Sequence, residues 1–209
     1  MRIVNTKAHW ESVYRFKAQE AVSWYKPHLD ASINLIERYA KDRSAAVLDV
    51  GGGESTLVDD LLNKGFKDLT VLDVSETALE VTKRRLGPMG ERISWIAGDI
   101  TRAVLPAHRF DIWHDRAVFH FLTDEAERKA YVQSVLTAVK PGGHVIVSTF
   151  GPEGPQKCSG LDVRRYDADG LHQEFGSRFR IKEKSEELHR TPWGSMQQFV
   201  YCCCIVDPS

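Results

Sequence analysis

Short apolar runs alternate with amphipathic segments along most of the chain, and this alternation predicts its fold. Five apolar runs of strand length occur over residues 46–50, 68–74, 93–97, 110–114 and 144–150. Between them, apolar residues recur at helical spacing over residues 55–64, 78–86 and 123–139. Strands that alternate with helices pair in parallel and are covered on both faces. The pattern therefore predicts an α/β fold with three layers and a doubly wound, mostly parallel sheet.

The N-terminal segment, residues 1–44, precedes the first predicted strand and has a different pattern. It contains a helix start at residues 9–14, an aromatic segment at 22–27 and a helical stripe over 29–39. We expect this segment to form a helical cover that closes over the ligand site and excludes water. Its aromatic residues either attract a cationic ligand or simply pack against the rest of the protein.

The C-terminal segment changes pattern again. Residues 151–160 hold two prolines and three glycines, which predicts a loop. A helix is predicted over residues 168–176, and two long strands follow at 179–188 and 196–206. Pro192 and Gly194 lie between these strands, so we expect an antiparallel hairpin at the end of the sheet.

Composition limits the classes of protein to consider. The chain has 209 residues, which favours a single domain with a cover (1–44), a cofactor-binding core (45–150) and a substrate-side loop with the hairpin (151–209). Hydrophobic residues make up 42% and charged residues 27%, and the net charge of −1 offers no basic field for nucleic acid. We also expect no membrane span, because no apolar run approaches about 20 residues.

The cysteines and the N-terminus bear on the compartment. Cys158 stands alone and residues 202–204 are three consecutive cysteines, a spacing that suits neither a disulfide framework nor a zinc site. The first ten residues lack the apolar core of a signal peptide. Together these features predict a reduced, cytoplasmic protein.

Residues 49–53, Asp-Val-Gly-Gly-Gly, directly follow the first predicted strand. Glycines allow positive φ and a close approach of the backbone to a ligand, which binds beyond the carboxyl ends of the strands. The dinucleotide fingerprint needs a third glycine, but Thr56 stands there. Asp49 would also repel a pyrophosphate, whereas an ammonium or sulfonium group would tolerate it.

Two more acids fall at the ends of the next two strands. Asp73 lies 22 residues after Gly51 (73 − 51), where a carboxylate accepts hydrogen bonds from both hydroxyls of an adenosine ribose. Asp99 follows the third strand and can accept from the adenine amine while Ile100 packs on the ring. Each acid alone also fits a solvated strand end or a capped turn. With Asp49 they predict one extended ligand along the edge of the sheet.

A dense polar cluster ends the fourth strand, where His114, Asp115 and Arg116 lie between apolar runs. Such groups are costly to bury unless they are paired, so we expect Asp115 and Arg116 to pair with each other or with neighbours. His120 follows in the same segment and is either a general base or a core histidine bonded to a backbone carbonyl.

These motifs together resemble class I S-adenosylmethionine-dependent methyltransferases over nearly the whole chain. The strings at residues 47–53, 113–122 and 158–161 resemble those of one bacterial group within this class. The opening string at residues 9–14, His-Trp-Glu-Ser-Val-Tyr, is similar to that of the citrate synthase lysine methyltransferase and related protein-lysine enzymes. The resemblance implies a Rossmann-like, seven-stranded methyltransferase fold, with S-adenosyl-L-methionine as cofactor and S-adenosyl-L-homocysteine as product.

The resemblance also implies residue roles. Trp10 and Tyr14 would lie near the methionine part of the cofactor, and His114 near its sulfur. With the strand-end residues, the predicted cofactor site comprises Trp10, Tyr14, Asp49, Gly51, Gly53, Asp73, Val74, Asp99, Ile100 and His114. The string Asn/Asp-Pro-Pro-Tyr/Phe of many amide and amine N-methyltransferases is absent after the fourth strand, which argues against a nucleic-acid base as substrate.

The acceptor is predicted only as a small molecule or a protein lysine, bound by a monomer or homodimer. A lysine or hydroxyl acceptor needs a nearby base, for which the candidates are His114, Asp115 and His120. Lys157 next to Cys158 would favour a thiolate, and a basic pair that includes Arg165 could bind an anion. The predicted substrate residues are Trp24, Arg116, Cys158, Arg165 and Tyr166. The alternatives are an NAD(P)-dependent oxidoreductase and a catalytically idle module that binds S-adenosylmethionine.

Overall fold

A computed structural model describes residues 6–208 of the chain and contains one seven-stranded sheet. The strands are β1 (Ala46–Val50), β2 (Asp68–Asp73), β3 (Ile93–Ala97), β4 (Phe110–Arg116), β5 (Val139–Phe150), β6 (Lys157–Cys158), β7 (Leu161–Asp162), β8 (Phe179–Arg190) and β9 (Met196–Val206). The helices are α1 (Thr6–Phe16), α2 (Asp30–Tyr39), α3 (Leu57–Asn63), α4 (Glu76–Leu86), α5 (Glu125–Ala138) and α6 (Ala168–Phe175). Three short 3₁₀ segments lie at Gln19–Ala21, Gly87–Arg92 and Phe119–Phe121.

The strand order is β3-β2-β1-β4-β5-β9-β8. The five strands from β3 to β5 pair in parallel, and the β8–β9 hairpin adds antiparallel to β5. The predicted doubly wound, mostly parallel sheet with a terminal hairpin is therefore confirmed. This order brings the carboxyl ends of β1, β2, β3 and β4 to one edge of the sheet, where ligands of such folds bind.

Helices cover both faces of the sheet because each face is apolar. On one face, α2, α3 and α4 pack on a cluster that includes Ile36, Leu57 and Leu79. On the other face, α5 and α6 pack on a cluster that includes Tyr131 and Phe175. The strands between these layers are buried on both sides, which explains why β1 is a continuous apolar run apart from Asp49.

Several boundaries differ from the sequence prediction for local reasons. β4 continues two residues beyond His114 to Arg116, because Asp115 and Arg116 still pair with β5. β5 begins at Val139 rather than at residue 144, with a register irregularity where the Pro-Gly-Gly sequence occurs. The predicted loop at residues 151–160 runs into two short paired strands, β6 and β7. No helix within residues 6–208 is long and apolar enough to cross a bilayer.

Candidate active site

A cavity of about 950 Å³, including the space at its mouth, lies at the carboxyl edge of the parallel strands. The ends of β1, β2 and β4, the segment after β3, helix α1 and the segment that contains Trp24 form its walls. Ten of the predicted cofactor and substrate residues line it: Trp10, Tyr14, Trp24, Gly51, Asp73, Val74, Asp99, Ile100, Arg116 and Cys158. The fold therefore brings these predicted residues from separate strands into one concave site.

The glycine bend, residues 51–53, forms the floor between the strand ends. Gly51 has φ +68° and Gly53 has φ +41°, a region that disfavours any residue with a side chain. A Cβ on Gly51 would lie 2.0 Å from Val118 Cγ2, and a Cβ on Gly53 would lie 2.9 Å from both Tyr14 Oη and Asp73 Oδ2. Glycine is required here because the side chains of Val118, Tyr14 and Asp73 approach the backbone this closely.

Asp73 is buried at the end of β2, with only 4% of its surface exposed. The backbone N–H of Ser75 donates to its Oδ1 at 2.8 Å. Burial raises the pKa of Asp73 to about 7, and the nearby acids Asp49 and Glu11 act in the same direction. The carboxylate is thus costly to ionise in the free protein, as expected for a group that awaits hydrogen-bond donors from a ligand.

Asp99 also lines the cavity and lies in the turn after β3. Its Oδ1 accepts hydrogen bonds from the backbone N–H and the hydroxyl of Thr101, at 2.9 and 2.7 Å. The turn-capping role considered from the sequence is therefore real, but only one carboxylate oxygen is used in it. The second oxygen, Oδ2, accepts no hydrogen bond within residues 6–208 but lies 4.0 Å from the exposed Arg102 Nε. Ile100 is buried beside Asp99 and also lines the cavity, so an adenine ring could meet both this oxygen and an apolar surface.

The N-terminal helix α1 lies over this cavity and is attached to the helix that follows β2. The Glu11 carboxylate accepts from the backbone N–H of Glu76 at 2.7 Å and from the Thr77 hydroxyl. This carboxylate satisfies an N–H group at the start of α4, where an acid is favourable. The contact aims Trp10 and Tyr14 into the cavity.

Aromatic side chains form one wall of the cavity, which we call the aromatic wall: Trp10, Tyr14, Trp24 and Phe121. The ring centroids of Trp10 lie 5.7 Å from Trp24 and 5.1 Å from Phe121, both edge to face. Phe121 was not predicted as a site residue, because the apolar segment that contains it is equally typical of a buried core. Aromatic faces attract cations, so this wall suits a sulfonium or another alkylated cation.

A second cavity of about 550 Å³ lies on the other side of Tyr14 and Trp24, below the glycine bend. Its polar lining residues include Lys26, Asp49, Glu54, His114 and Arg116. Burial raises the pKa of the Glu54 carboxyl. Three polar residues of the predicted site, Asp49, His114 and Arg116, meet here, so this cavity suits the charged end of an extended ligand.

The three predicted catalytic residues are placed very differently. His114 lines the second cavity but is 1% exposed, and its Nδ1 and Nε2 contact Asp49 Oδ1 at 2.7 Å and Ser32 Oγ at 2.9 Å. Asp115 lies outside both cavity linings and accepts from the N–H groups of Val118 and Phe119 and from the Tyr131 hydroxyl. Burial raises the pKa of Asp115 to about 6 despite these three donors.

His120 is also absent from both linings and lies in the core. The backbone N–H of Phe150 donates to its Nδ1 at 3.3 Å, rather than a carbonyl accepting from the ring. Burial, with a contribution from Arg116, lowers its pKa to about 3. Of the two interpretations offered by the sequence, this geometry favours the core histidine.

The predicted substrate residues divide into two groups. Trp24, Arg116 and Cys158 line the main cavity. Arg165 instead donates to the carbonyls of Pro152 and Gly154, and Tyr166 is buried against Phe119 in the α5–α6 layer. The structure therefore does not bring Arg165 or Tyr166 to the cavity.

The expectation that Lys157 promotes a Cys158 thiolate is wrong. The Lys157 side chain is exposed and pairs with Asp162 at 3.1 Å. Burial raises the pKa of the Cys158 thiol to about 11, so the group remains a thiol at neutral pH. Cys158 forms part of the cavity wall.

Comparison with known proteins agrees with this geometry. Residues 47–143 match the family described as methyltransferase domain. The eEF1A lysine and N-terminal methyltransferase of Bos taurus is 30% identical over 121 residues, which is 57% of this chain but only 17% of that protein. The EEF1A lysine methyltransferase 2 of Danio rerio is 26% identical over 160 residues, 70% of this chain and 69% of that protein.

The fold is shared with solved structures of low sequence identity. The 1,6-didemethyltoxoflavin-N1-methyltransferase of Burkholderia thailandensis, solved with 1,6-didemethyltoxoflavin and S-adenosylhomocysteine, superposes with a TM-score of 0.71. It is 19% identical, and the match covers 97% of this chain and 88% of that chain. The strand order and this structural match show the Rossmann-like fold of class I S-adenosylmethionine-dependent methyltransferases, and the segment that matches a methyltransferase domain covers residues 47–143.

Proposed function

We propose that the chain transfers a methyl group from S-adenosylmethionine to a small-molecule or protein side-chain acceptor that enters at the aromatic wall. The observation that carries this proposal is the arrangement of Asp73 and Asp99 on one cavity, with the glycine bend between the strand ends. The residues fit the cofactor, because Gly51 lines the cavity without a side chain, next to the carboxylates of Asp73 and Asp99. That residues 1–209 form a single domain and that the protein is cytoplasmic both stay predictions.

Each residue of the proposed site has one task. Asp73 accepts from the two ribose hydroxyls, and Asp99 Oδ2 accepts from the adenine amine. Val74 and Ile100 pack on the adenosine, and Asp49 faces the ammonium group of the methionine part. The aromatic wall surrounds the sulfonium end and excludes water. When bound, S-adenosylmethionine supplies a methyl group that an acceptor lone pair displaces in line from sulfur.

We further propose that catalysis depends on positioning rather than on a general base. Within residues 6–208, the one histidine that lines either cavity is His114, and both its ring nitrogens already have partners. Asp115 and His120 contact neither cavity. An acceptor held in line at near-attack distance needs no base if it arrives with a free lone pair. The acceptor is therefore proposed to bind in its deprotonated form.

Thermal unfolding with added ligands tests the cofactor. S-adenosylhomocysteine at about a hundred times its Kd should stabilise the folded protein by roughly 2.7 kcal/mol and raise Tm measurably. NADH and NADPH at the same concentrations should leave Tm unchanged, because Asp49 opposes a pyrophosphate. A shift with either nicotinamide cofactor and none with S-adenosylhomocysteine would contradict the proposal and favour an oxidoreductase.

A protein side chain is the acceptor favoured by one surface feature. Leu188, Trp193 and Met196 are 69%, 60% and 55% exposed at the turn of the β8–β9 hairpin. Because β9 runs antiparallel to β5, with Phe199 opposite Phe150, this turn projects from the cofactor edge of the sheet. Exposed apolar groups of this kind mark protein interaction sites, and the Bos taurus and Danio rerio relatives are named as lysine methyltransferases.

Incubation with methyl-labelled S-adenosylmethionine and cell extract tests the acceptor class. We expect label in protein, and we expect Trp193→Ala to reduce this labelling severalfold without changing the Kd for S-adenosylhomocysteine. Val104→Ala is the matched control, because Val104 is an apolar residue that is 98% exposed outside the hairpin. Label found only in small molecules would exclude the protein acceptor while leaving the methyltransferase proposal intact.

A further inference from the structure

A buried chain of hydrogen bonds connects the glycine bend to the far edge of the sheet. It runs from Asp49 through His114, Ser32 and Tyr201 to Glu187, and we call it the buried hydrogen-bond chain. The contacts are 2.7 Å (Asp49–His114), 2.9 Å (His114–Ser32), 3.4 Å (Ser32–Tyr201) and 2.9 Å (Tyr201–Glu187). Its members come from β1, β4, α2, β9 and β8, so only the folded structure brings them together.

The interior of this chain is fully removed from solvent. Ser32, His114 and Tyr201 are 0%, 1% and 1% exposed, and Asp49 is 5% exposed. Buried polar networks are costly unless every member has a partner. This chain meets that condition, because each of its polar side chains contacts the next.

Counting hydrogens shows how the chain constrains Asp49. The Tyr201 hydroxyl has one hydrogen and donates it to the Glu187 carboxylate. In its contact with Ser32, the Tyr201 oxygen can therefore act only as an acceptor. The Ser32 hydroxyl therefore donates either to Tyr201 or to His114 Nε2. If Ser32 donates to Tyr201, it accepts from His114 Nε2–H, and the ring carries a hydrogen on each nitrogen; if Ser32 donates to Nε2, the ring carries one hydrogen, on Nδ1. Nδ1 donates to Asp49 in either case, because the Asp49 carboxylate only accepts. Ser32 contacts Nε2 of the His114 ring and thereby fixes the orientation in which the ring donates its Nδ1–H to Asp49.

Tyr201 has a second contact that reaches the main cavity. Arg116 donates from Nε to the Tyr201 hydroxyl oxygen at 3.2 Å, and its Nη1 donates to the Trp24 carbonyl at 3.3 Å. Glu187 closes this end: Lys26 Nζ lies 2.8 Å away and Arg116 Nη2 lies 3.7 Å away. Burial alone would raise the pKa of Glu187, but Arg116 and Lys26 lower it overall. Tyr201 therefore supports both Asp49 and Arg116.

The chain reaches the reaction site at two places. Asp49 lines the second cavity, and its Oδ2 would lie 2.6 Å from a Cβ on Gly52, directly against the glycine bend. Arg116 lines both cavities. We propose that Ser32 and Tyr201 are positioning residues: Ser32 orients His114 and with it Asp49, and Tyr201 also holds Arg116 at the cavity wall. This inference rests on the proposed binding of S-adenosylmethionine.

Isothermal titration with S-adenosylhomocysteine tests Ser32. Ser32→Ala should raise the Kd roughly tenfold, as expected when a hydrogen-bonded carboxylate loses its orientation. Ser148→Ala is the matched control, because Ser148 is equally buried at 0% exposure and its hydroxyl has no partner among residues 6–208. In an Asp49→Asn background, Ser32→Ala should add little, because both changes act on one group.

Imidazole and guanidinium ¹⁵N spectra separate positioning from general loosening of the core. Ser32→Ala should change the His114 ring signals and leave the Arg116 Nε signal in place. Tyr201→Phe should alter both, because it removes the oxygen that Arg116 contacts. Wild-type protein that does not bind S-adenosylhomocysteine would overturn the proposed function and this inference together. Equal weakening, or none, in Ser32→Ala and Ser148→Ala with intact wild-type binding would overturn the positioning role alone.

Discussion

Replacing Asp73 with asparagine is expected to weaken S-adenosylhomocysteine binding by roughly a hundredfold or more while the fold is retained. A carboxylate can accept from both ribose hydroxyls, whereas an asparagine side chain offers one acceptor and a donating amide that opposes the second hydroxyl. Hydrogen bonds to a charged group contribute about 1.5–3 kcal/mol each, so losing one, weakening the other to a neutral hydrogen bond and setting an amide donor against a hydroxyl together cost roughly two orders of magnitude in affinity. Isothermal titration calorimetry measures the effect directly.

The pH dependence of binding supplies a second signature of the same residue. Burial raises the pKa of Asp73 from 3.8 to about 7, so the free protein holds a proton that the bound carboxylate must lose. Affinity should therefore fall as pH drops below about 7, by up to about tenfold per pH unit, and Asp73→Asn should abolish that slope. An unchanged Kd in the variant, or the same pH slope, would remove Asp73 from the site.

The effect of Asp73 on stability has the opposite pH dependence to that of a paired surface acid. Its folded-state pKa lies above its unfolded value, so the folded free protein binds the extra proton between about pH 4 and pH 7. Its contribution to stability is fully present below that range and is lost as pH rises through about 7. Asparagine has no such cost, so the melting temperature of Asp73→Asn at pH 8 should not fall below that of the wild type. This control separates lost binding from lost folding.

The sheet could be predicted from the sequence because local pattern and tertiary burial agree in it. β1, β3 and β9 have the predicted bounds, since each is an apolar run bounded by polar or turn residues. Ser75 also caps α4, accepting from the Ala78 N–H at 3.2 Å, as serine commonly does at a helix N-terminus. The start of β5 was missed because Pro141 and the glycines after it signal a turn, yet Val139 still pairs with Phe110 across the irregularity.

Within the candidate site, the residues that could be predicted from the sequence are those at the ends of strands. Asp73 and Asp99 follow apolar strands, and parallel pairing brings such ends to one edge whatever the rest of the chain does. Phe121, Ser32 and Tyr201 give no such signal, because their positions depend on contacts between segments far apart in sequence. Arg165 was predicted from its residue type alone, and its guanidinium instead binds loop carbonyls on another surface.

The roles of His114 and Asp115 were hard to predict for a related physical reason. Both are charged or polar residues in an apolar strand that ends at the ligand edge, a position that suits either catalysis or structure. Neighbouring residues on a strand point to opposite faces, so His114 turns toward α2 and Asp115 toward α5. Neither partner, Ser32 nor Tyr131, lies near them in sequence. The choice between the two roles was therefore made by tertiary contacts alone.

Asp115→Ala is expected to destabilise the fold by roughly 3–5 kcal/mol, because it leaves several buried donors without an acceptor. The Asp115 carboxylate, at 0% exposure, accepts from Val118 N–H at 2.8 Å, Phe119 N–H at 3.0 Å and Tyr131 Oη at 2.6 Å. These contacts hold the segment that carries the aromatic-wall residue Phe121. Urea unfolding should show a lower midpoint, and added S-adenosylhomocysteine should recover part of the lost stability.

Asp162→Ala provides the comparison for this variant, because the Asp162 side chain is 76% exposed and has a surface ion pair with Lys157. Such pairs contribute about 0–1 kcal/mol, so its urea midpoint should stay close to that of the wild type. An Asp115→Ala protein with an unchanged midpoint but no methyl transfer would restore Asp115 as a catalytic residue. The expected result instead makes it the anchor of the turn after β4, because two of its three donors are backbone N–H groups of that turn and the third is the Tyr131 hydroxyl of α5.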